Sequence, residues 1–147
     1  MQTFLPYPDF YKTAQVLDYR RLGKQRIEAK QILMILLDEA KTKGWRNHPA
    51  VLMWKGYERA LAGYGYEICM EWRKRGYIDN QRDYFRDRMH STFIPKTIMP
   101  PWIGDEKFHL AHRSNLMRKD SKYYKQYFGN IDPTMEYVWP TKLNQGL

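Results

Sequence analysis

Cysteine, long apolar runs and targeting patterns are scarce in this chain, and each scarcity excludes a class of protein. Cys69 is the single cysteine among 147 residues, which excludes a disulfide framework and a thiolate metal site and fits a reducing compartment. No apolar run approaches the roughly 20 residues that cross a bilayer. The N-terminus also lacks the pattern of a signal peptide. We therefore expect a soluble, cytoplasmic protein with no membrane partner.

Several catalytic and cofactor motifs are also missing. The chain has no Gly-rich phosphate loop and no nucleophile elbow. Of its four histidines, His109 and His112 are spaced i, i+3 on a predicted helix, which could chelate a metal, but no third ligand accompanies them. We expect no metal and no cofactor, and a capping or hydrogen-bonded structural role for this pair.

Positive charge is abundant. The chain has 25 Lys and Arg against 16 Asp and Glu, a formal net charge of +9. Such an excess is typical of proteins that bind nucleic acid or another polyanion. Aromatic residues are also frequent, with 12 Tyr and 5 Trp, and many of them neighbour cations. They could stack on bases, although aromatic residues in a small protein also build the core.

Hydrophobic periodicity and capping residues predict an all-α fold. The predicted helices cover residues 10–18, a segment from the basic cluster to Gly44, one long helix from Asn47 to Gly76, a helical turn over 83–89, and residues 106–119 and 121–128. Irregular loops separate them, and an extended C-terminal tail packs on the surface through Tyr137, Val138 and Trp139. We expect one domain over residues 1–147, a compact bundle of about three main helices.

The densest cluster of reactive side chains lies at Leu17–Glu28, just ahead of an apolar helix. Its members are Asp18, Arg20, Arg21, Lys24, Gln25, Arg26 and Glu28. Because its cations repel one another, a phosphate backbone would compensate the cluster, and the carboxylates and amide could act chemically at the same place. The alternative interpretation is a solvated helix face.

A second polar group, Arg46-Asn47-His48, precedes Pro49 at a predicted helix N-terminus. Free N–H groups and the helix dipole attract anions at such a position. The alternative is that Asn47 or His48 only caps the helix.

Several landmarks occur in the order and spacing of a known family. They are Asp18-Tyr19-Arg20, Asn47-His48-Pro49, Lys74-Arg75-Gly76, the run Tyr123–Gly129, and Arg113 at its distance before Gly129. On these residues, which span nearly the full length, the chain resembles the pyrimidine-dimer DNA glycosylase family of the bacteriophage endonuclease V type. The resemblance implies an all-α glycosylase and abasic-site lyase, monomeric and free of metal and cofactor, in a bacterial or phage-infected cell. Its partner is double-stranded DNA with a damaged or modified base.

In that family the N-terminal α-amine attacks C1′ of the damaged nucleotide, forms a Schiff base, and β-elimination then cuts the strand. The resemblance assigns this amine to Met1, because Gln2 is too large to favour removal of the initiator methionine. An α-amine has a pKa of about 7.7–8.0, so a useful fraction is neutral and nucleophilic at pH 7.

The family also uses a buried glutamate that follows an arginine, a position held in this chain by Arg21 or Leu22. Asp18, on the same helical face as Leu22, and Glu28 are the candidate carboxylates, and Gln25 could orient a sugar hydroxyl. Salt bridges to Arg21 or Arg26 are the alternative role for either carboxylate.

The expected DNA contacts extend beyond the cluster. They are Arg20, Arg21, Lys24, Arg26, Arg46, Asn47, His48, Arg113, Lys119 and Lys125, with Tyr123, Tyr124 and Tyr127 for stacking at the lesion. Two other functions remain open at this point, a DNA-binding module without catalysis and a glycosylase for a different modified base. An RNA-binding or acidic-protein-binding domain is a third.

Overall fold

The computed structural model describes residues 1–41, 44–95 and 99–140, and these residues form seven helices and no strand. The helices are α1 (Phe10–Val16), α2 (Tyr19–Leu36), α3 (Pro49–Leu52), α4 (Glu58–Lys74), α5 (Arg82–Met89), α6 (Glu106–Lys119) and α7 (Ser121–Phe128). The predicted all-α class is confirmed, and α2, α4 and α6 are the three longest helices. Residues 141–147 of the predicted tail lie outside the described part of the chain.

The single long helix predicted from Asn47 to Gly76 is wrong, because the chain forms two helices there. The short α3 ends at Leu52, and Gly56 has φ +91°, a left-handed conformation that suits glycine and interrupts the helix before α4. The apolar periodicity continues across this break, because Val51 and Trp54 on one side and Leu61 on the other all lie in the same core.

Two other helices end earlier than predicted. The first stops at Val16, because Asp18 is the N-cap of the next helix. The second was predicted to reach Gly44, but α2 ends at Leu36, and Asp38 at φ 59° turns the chain out of the helix. The apolar pattern continues past this turn because Leu37 still packs against the core.

The core lies between α2 and α4, which pack against each other, and α4 also packs against α1 and α5. Two glycines allow close approaches. A Cβ at Gly23 would lie 2.8 Å from the ring of Trp72, and one at Gly65 would lie 2.2 Å from the ring of Phe85. The glycine on α2 therefore brings an aromatic ring of α4 directly against the helix that carries the basic cluster.

The described part of the C-terminal tail packs back along α6. Asn115 Nδ2 donates a hydrogen bond to the carbonyl of Met135 at 3.0 Å, and Arg118 donates to the carbonyl of Pro133 at 2.6 Å. Tyr137 and Trp139 then lie against the core, as the sequence predicted. Among the described helices, none is long and apolar enough to cross a membrane.

Candidate functional site

A cleft of about 420 Å³ lies where the N-terminus, α2, the end of α6 and the tail meet. It brings together residues from four separate parts of the sequence. The lining residues are Met1, Gln2, Phe4, Arg20, Arg21, Lys24, Gln25, Glu28, Lys119, Tyr137 and Trp139. Most of the catalytic candidates and half of the expected phosphate-binding cations are therefore neighbours in space.

The N-terminal segment reaches this cleft as buried chain outside any helix, and hydrogen bonds with side chains hold it in place. Gln25 is its main anchor, because its Oε1 accepts from the Phe4 N–H and its Nε2 donates to the Gln2 carbonyl, both at 2.9 Å. The buried Tyr64 hydroxyl donates to Gln25 Oε1 at 2.6 Å and lies 2.8 Å from the Phe4 carbonyl. Trp54 Nε1 donates to Thr3 Oγ1 at 3.0 Å.

Two histidines of α6 hold the next residue of the segment. The Leu5 N–H donates to His112 Nδ1 at 3.0 Å, and His109 Nδ1 lies 2.8 Å from the Leu5 carbonyl while its Nε2 accepts from Gly104 N. Burial lowers the pKa of His112 to about 3 and also lowers that of His109, so both rings are neutral at pH 7. The predicted hydrogen-bonded role of this pair is confirmed. Their partner is separated from them by more than a hundred residues, so no local pattern could identify it.

Glu28 lies directly against the N-terminus. Its Oε2 accepts from the Gln2 N–H at 2.9 Å and from Gln25 Nε2 at 3.3 Å, and Lys24 Nζ lies 3.5 Å from Oε1. The carboxylate is therefore fixed within one peptide unit of the Met1 α-amine, in the same cleft.

The cations that line the cleft outnumber its carboxylate. Burial lowers the pKa of Lys119, and the positive charges of Arg21, Arg118 and Lys24 lower it further, against the opposite effect of Glu28. Lys24 remains 74% exposed despite its pair with Glu28. The cleft thus has a positive surplus that an anion would relieve.

Asp18 has a different setting from Glu28. It caps α2 by accepting from the Arg21 N–H, pairs with the Arg21 guanidinium at 3.0 Å, and accepts a short hydrogen bond from the Tyr124 hydroxyl. Burial raises its pKa, but the bonds from Tyr124 and Arg21 outweigh burial and lower it overall. Both carboxylate oxygens accept hydrogen bonds in these contacts, and Asp18 is not one of the residues that line the cleft.

The second polar group lies close by. His48 caps α3, since its Nδ1 accepts from the Ala50 N–H at 3.0 Å, which confirms the capping prediction. Its ring packs edge-on against Trp139, with centroids 5.9 Å apart. Burial lowers the pKa of His48, and the positive charge of the N-terminal amine lowers it further. Arg46 and Asn47 are exposed immediately before this cap.

Other predicted DNA contacts lie away from the cleft lining. Arg26 pairs with the buried Asp79 at 2.6 Å, and Arg113 donates to the Pro6 carbonyl at 2.7 Å and pairs with Glu106. On α7, Tyr124 is buried against Asp18, Tyr123 is half-buried, and Lys125 and Tyr127 are exposed.

In residues 1–41, 44–95 and 99–140, no group of three or more His, Cys, Asp or Glu side chains is arranged to hold a metal ion. The groups that line the cleft are an amine, a carboxylate, amides and surrounding cations.

Comparison with known proteins identifies a family. The family model described as pyrimidine dimer DNA glycosylase matches residues 1–85. This match covers more than half of the chain and includes Met1, Gln25 and Glu28, while no curated protein and no solved structure matches the chain. Because the matched residues contain α1 to α4 and make up more than half of the chain, the chain belongs to the pyrimidine dimer DNA glycosylases.

Proposed function

We propose that this protein removes a damaged pyrimidine from duplex DNA through a Schiff base to its N-terminal amine, and then cuts the strand as an abasic-site lyase. The observation that carries the proposal is the position of Glu28, which binds the Gln2 N–H at 2.9 Å in the cleft that Met1 lines. Family membership supports DNA as the substrate and base removal as the reaction.

The first chemical step is attack by the neutral amine of Met1 on C1′ of the damaged nucleotide. The C1′–N bond breaks, and the pyrimidine leaves with the bonding electron pair and takes up a proton. The amine nitrogen then loses a proton, and its lone pair forms the C1′=N bond as the C1′–O4′ bond breaks. O4′ takes up the proton, which leaves an open-chain sugar attached as a protonated Schiff base. Gln25 and its partners hold residues 2–4, so the amine meets the sugar with little freedom left to lose.

The second step needs a base, and Glu28 is the proposed one. It removes a proton from C2′ of the Schiff base, the electron pair forms the C2′=C3′ bond, and the 3′ phosphate leaves. Water then releases the sugar fragment from the amine. Asp18 is the weaker candidate, because Tyr124 and Arg21 occupy its oxygens.

The cations around the cleft have the complementary role of holding phosphates. Arg20, Arg21, Lys24 and Lys119 surround the proposed amine and carboxylate, and an extruded nucleotide brings its flanking phosphates to the same place. Tyr137 and Trp139 supply aromatic walls on which a base can stack. We propose a monomer acting on one duplex.

The experiment uses purified protein, its N-terminal mass verified, with duplexes that carry either one pyrimidine dimer or one abasic site. Borohydride added during the reaction reduces any Schiff base to a stable adduct. We expect adducts on both duplexes that map to the N-terminal residue, and none on undamaged DNA. Adducts on the abasic duplex alone would point to a lyase for a different base. Absence of any adduct, with DNA binding retained, would overturn the enzymatic proposal.

A further inference from the structure

A cluster of aromatic residues covers the flank of α2 that adjoins the cleft residue Arg20. We name this surface, formed by Tyr19, Trp72, Tyr77 and Ile78, the aromatic flank. Tyr19 and Tyr77 stack at a centroid distance of 6.5 Å, and Tyr77 and Trp72 stack at 4.2 Å. Tyr19 precedes the cleft residue Arg20 by one position, which is about 100° around a helix.

The aromatic flank ends in a turn that exposes a large apolar side chain. Ile78 is 94% exposed, and Tyr19 and Tyr77 beside it are about half exposed. A lone exposed apolar residue is ordinary, but Ile78 directly follows Tyr77, whose partly exposed ring stacks on Tyr19.

The turn is held firmly, so the exposure of Ile78 is not that of a loose loop. Trp72 Nε1 donates to the Ile78 carbonyl at 3.0 Å. The next side chain, Asp79, is fully buried and accepts from Arg26 at 2.6 Å and from the Arg82 N–H at 2.9 Å. The hydrogen bonds on both sides of Ile78 therefore present it at a fixed position.

The charges at the edge of the aromatic flank indicate the partner. Arg20 donates to the Tyr19 hydroxyl at 3.2 Å, and the partly exposed Arg73 lies against the turn, where its Nε is 3.3 Å from Asp79 Oδ2. Asp79, the acidic residue of the turn, is buried and occupied. An apolar and aromatic surface edged by cations complements the sugars, bases and phosphates of DNA.

Arg20 connects this surface to the cleft, because it lines the cleft and also contacts Tyr19. Tyr19 and Arg20 are the first two residues of α2. A duplex held in the cleft that passes over this end of the helix therefore reaches the aromatic flank.

We propose that the aromatic flank is a second DNA-contact surface, on which Ile78 and Tyr77 press against the duplex beside the lesion and support its bending. The inference rests on the proposed function, in that the DNA in the cleft and on this flank is one duplex. Apolar side chains that press into a groove stabilise kinked DNA by partly unstacking a base step.

The test compares Ile78→Ser with Phe93→Ser. Phe93 is 96% exposed on a different loop, so the two changes remove similarly exposed apolar side chains. Binding is measured by fluorescence anisotropy on a duplex with one tetrahydrofuran abasic analogue, which cannot form a Schiff base. A 2-aminopurine beside the analogue reports unstacking.

We expect Ile78→Ser to raise Kd about tenfold and to reduce the 2-aminopurine signal at saturation, because the apolar side chain that presses into the base step is lost. The salt dependence of Kd stays unchanged, because no phosphate contact is removed. Phe93→Ser should bind like the parent protein, and both variants should keep its melting temperature.

Unchanged binding by Ile78→Ser, or equal weakening by both variants, would overturn the proposal. If binding is unchanged and the parent protein forms a dimer that Ile78→Ser abolishes in sedimentation, the flank instead belongs to a second copy. Because the analogue duplex tests binding without chemistry, this result is independent of whether borohydride traps an adduct.

Discussion

One flank of α2, the cleft flank, lines the cleft, and another is the aromatic flank. The basic residues on these two flanks differ in the charges that surround them. On the cleft flank, Lys24 and Lys119 lie among other cations, and the pKa of Lys119 is lowered by burial and by those charges. On the aromatic flank, Arg26 is neutralised by the buried Asp79 and stacks on Trp72 at 4.7 Å. The comparison shows that a cation's partners, rather than its position in a basic run, determine whether it is available to a ligand.

The carboxylates near α2 differ in the same manner. Asp79 and Asp18 are tied to arginines and to backbone N–H groups, and those bonds lower the pKa of each against the opposing effect of burial. Glu28 instead binds the N-terminal segment and faces the cleft. The flank with surplus positive charge is therefore also the flank that holds a carboxylate beside the terminal amine.

The largest expected effect is on catalysis. Glu28→Gln keeps an acceptor for the Gln2 N–H but removes the base, so the single-turnover rate of strand cleavage should fall by about 10²–10⁴, with Kd for damaged DNA little changed. Asp18→Asn is the matched control, because asparagine also caps helices, and it should retain the rate within a few fold. A larger loss in Asp18→Asn than in Glu28→Gln would exchange the roles of the two residues.

The next effect is on stability and lies on the other flank. Asp79→Ala leaves Arg26 partly buried without its partner and should lower the free energy of unfolding by about 3–5 kcal/mol. Urea denaturation measures this change. Asp83→Ala, which removes an exposed pair with Arg82 and Arg86, should cost under about 1 kcal/mol. Similar losses in the two variants would contradict the structural role of Asp79.

As the pH is lowered, the first loss of stability should come from the histidine that holds the N-terminal segment. The pKa of His112 is about 3 in the folded chain and about 6.5 in an unfolded one. The unfolded state therefore binds more protons, and stability should fall as pH drops below about 6.5, by up to about 1.4 kcal/mol per pH unit. Asp18 and Asp79, with lowered pKa values, lose their contribution only at lower pH, as each is protonated below its ordinary range.

The measurement is urea denaturation at several pH values between 7 and 5, the range in which histidines titrate. His112→Asn, which offers Leu5 an acceptor that does not titrate, should show a shallower slope than the parent chain. His48 and His109, whose pKa values are lowered, and Glu67, whose pKa is raised by burial, are unchanged in this variant and determine the residual slope. An identical slope would show that His112 is not the group responsible.

The smallest effect concerns salt. Lys24→Ala should weaken DNA binding a few fold and reduce the slope of log K against log salt by about one, as expected for one lost phosphate contact. Arg26→Ala, measured well below its melting temperature, should leave that slope unchanged because its charge is already paired. A reduced slope in Arg26→Ala would extend the phosphate contacts to both flanks.

Local signals in the sequence predicted the C-terminal helices well. Asp105 and Asp120 cap α6 and α7, and Gly129 ends α7 at φ 68°, so the predicted boundaries at 106–119 and 121–128 match the structure. The break before α4 was missed because the apolar residues on both sides of Gly56 face one core. Periodicity reports burial and is insensitive to such an interruption.

The candidate site was predictable in its residues more than in its arrangement. Glu28 and Gln25 stood out because they lie within a basic cluster, and the resemblance added Met1. Nothing in the sequence distinguishes Arg26, which is paired in the fold, from Arg20, which lines the cleft. The partner of Arg26 is Asp79, which is 53 residues away in sequence. Likewise, the anchoring of Leu5 by His112 is a contact across 107 residues, which only the folded chain reveals.

The central claim is that the amine on the cleft flank performs the chemistry, and blocking that amine tests it most directly. A chain produced with a short, removable N-terminal extension would be incubated with abasic duplex and borohydride before and after proteolytic release of Met1. We expect no adduct at the extended terminus and efficient trapping once Met1 is free, at unchanged DNA affinity. Equal trapping in both forms, or an adduct on a lysine, would contradict it.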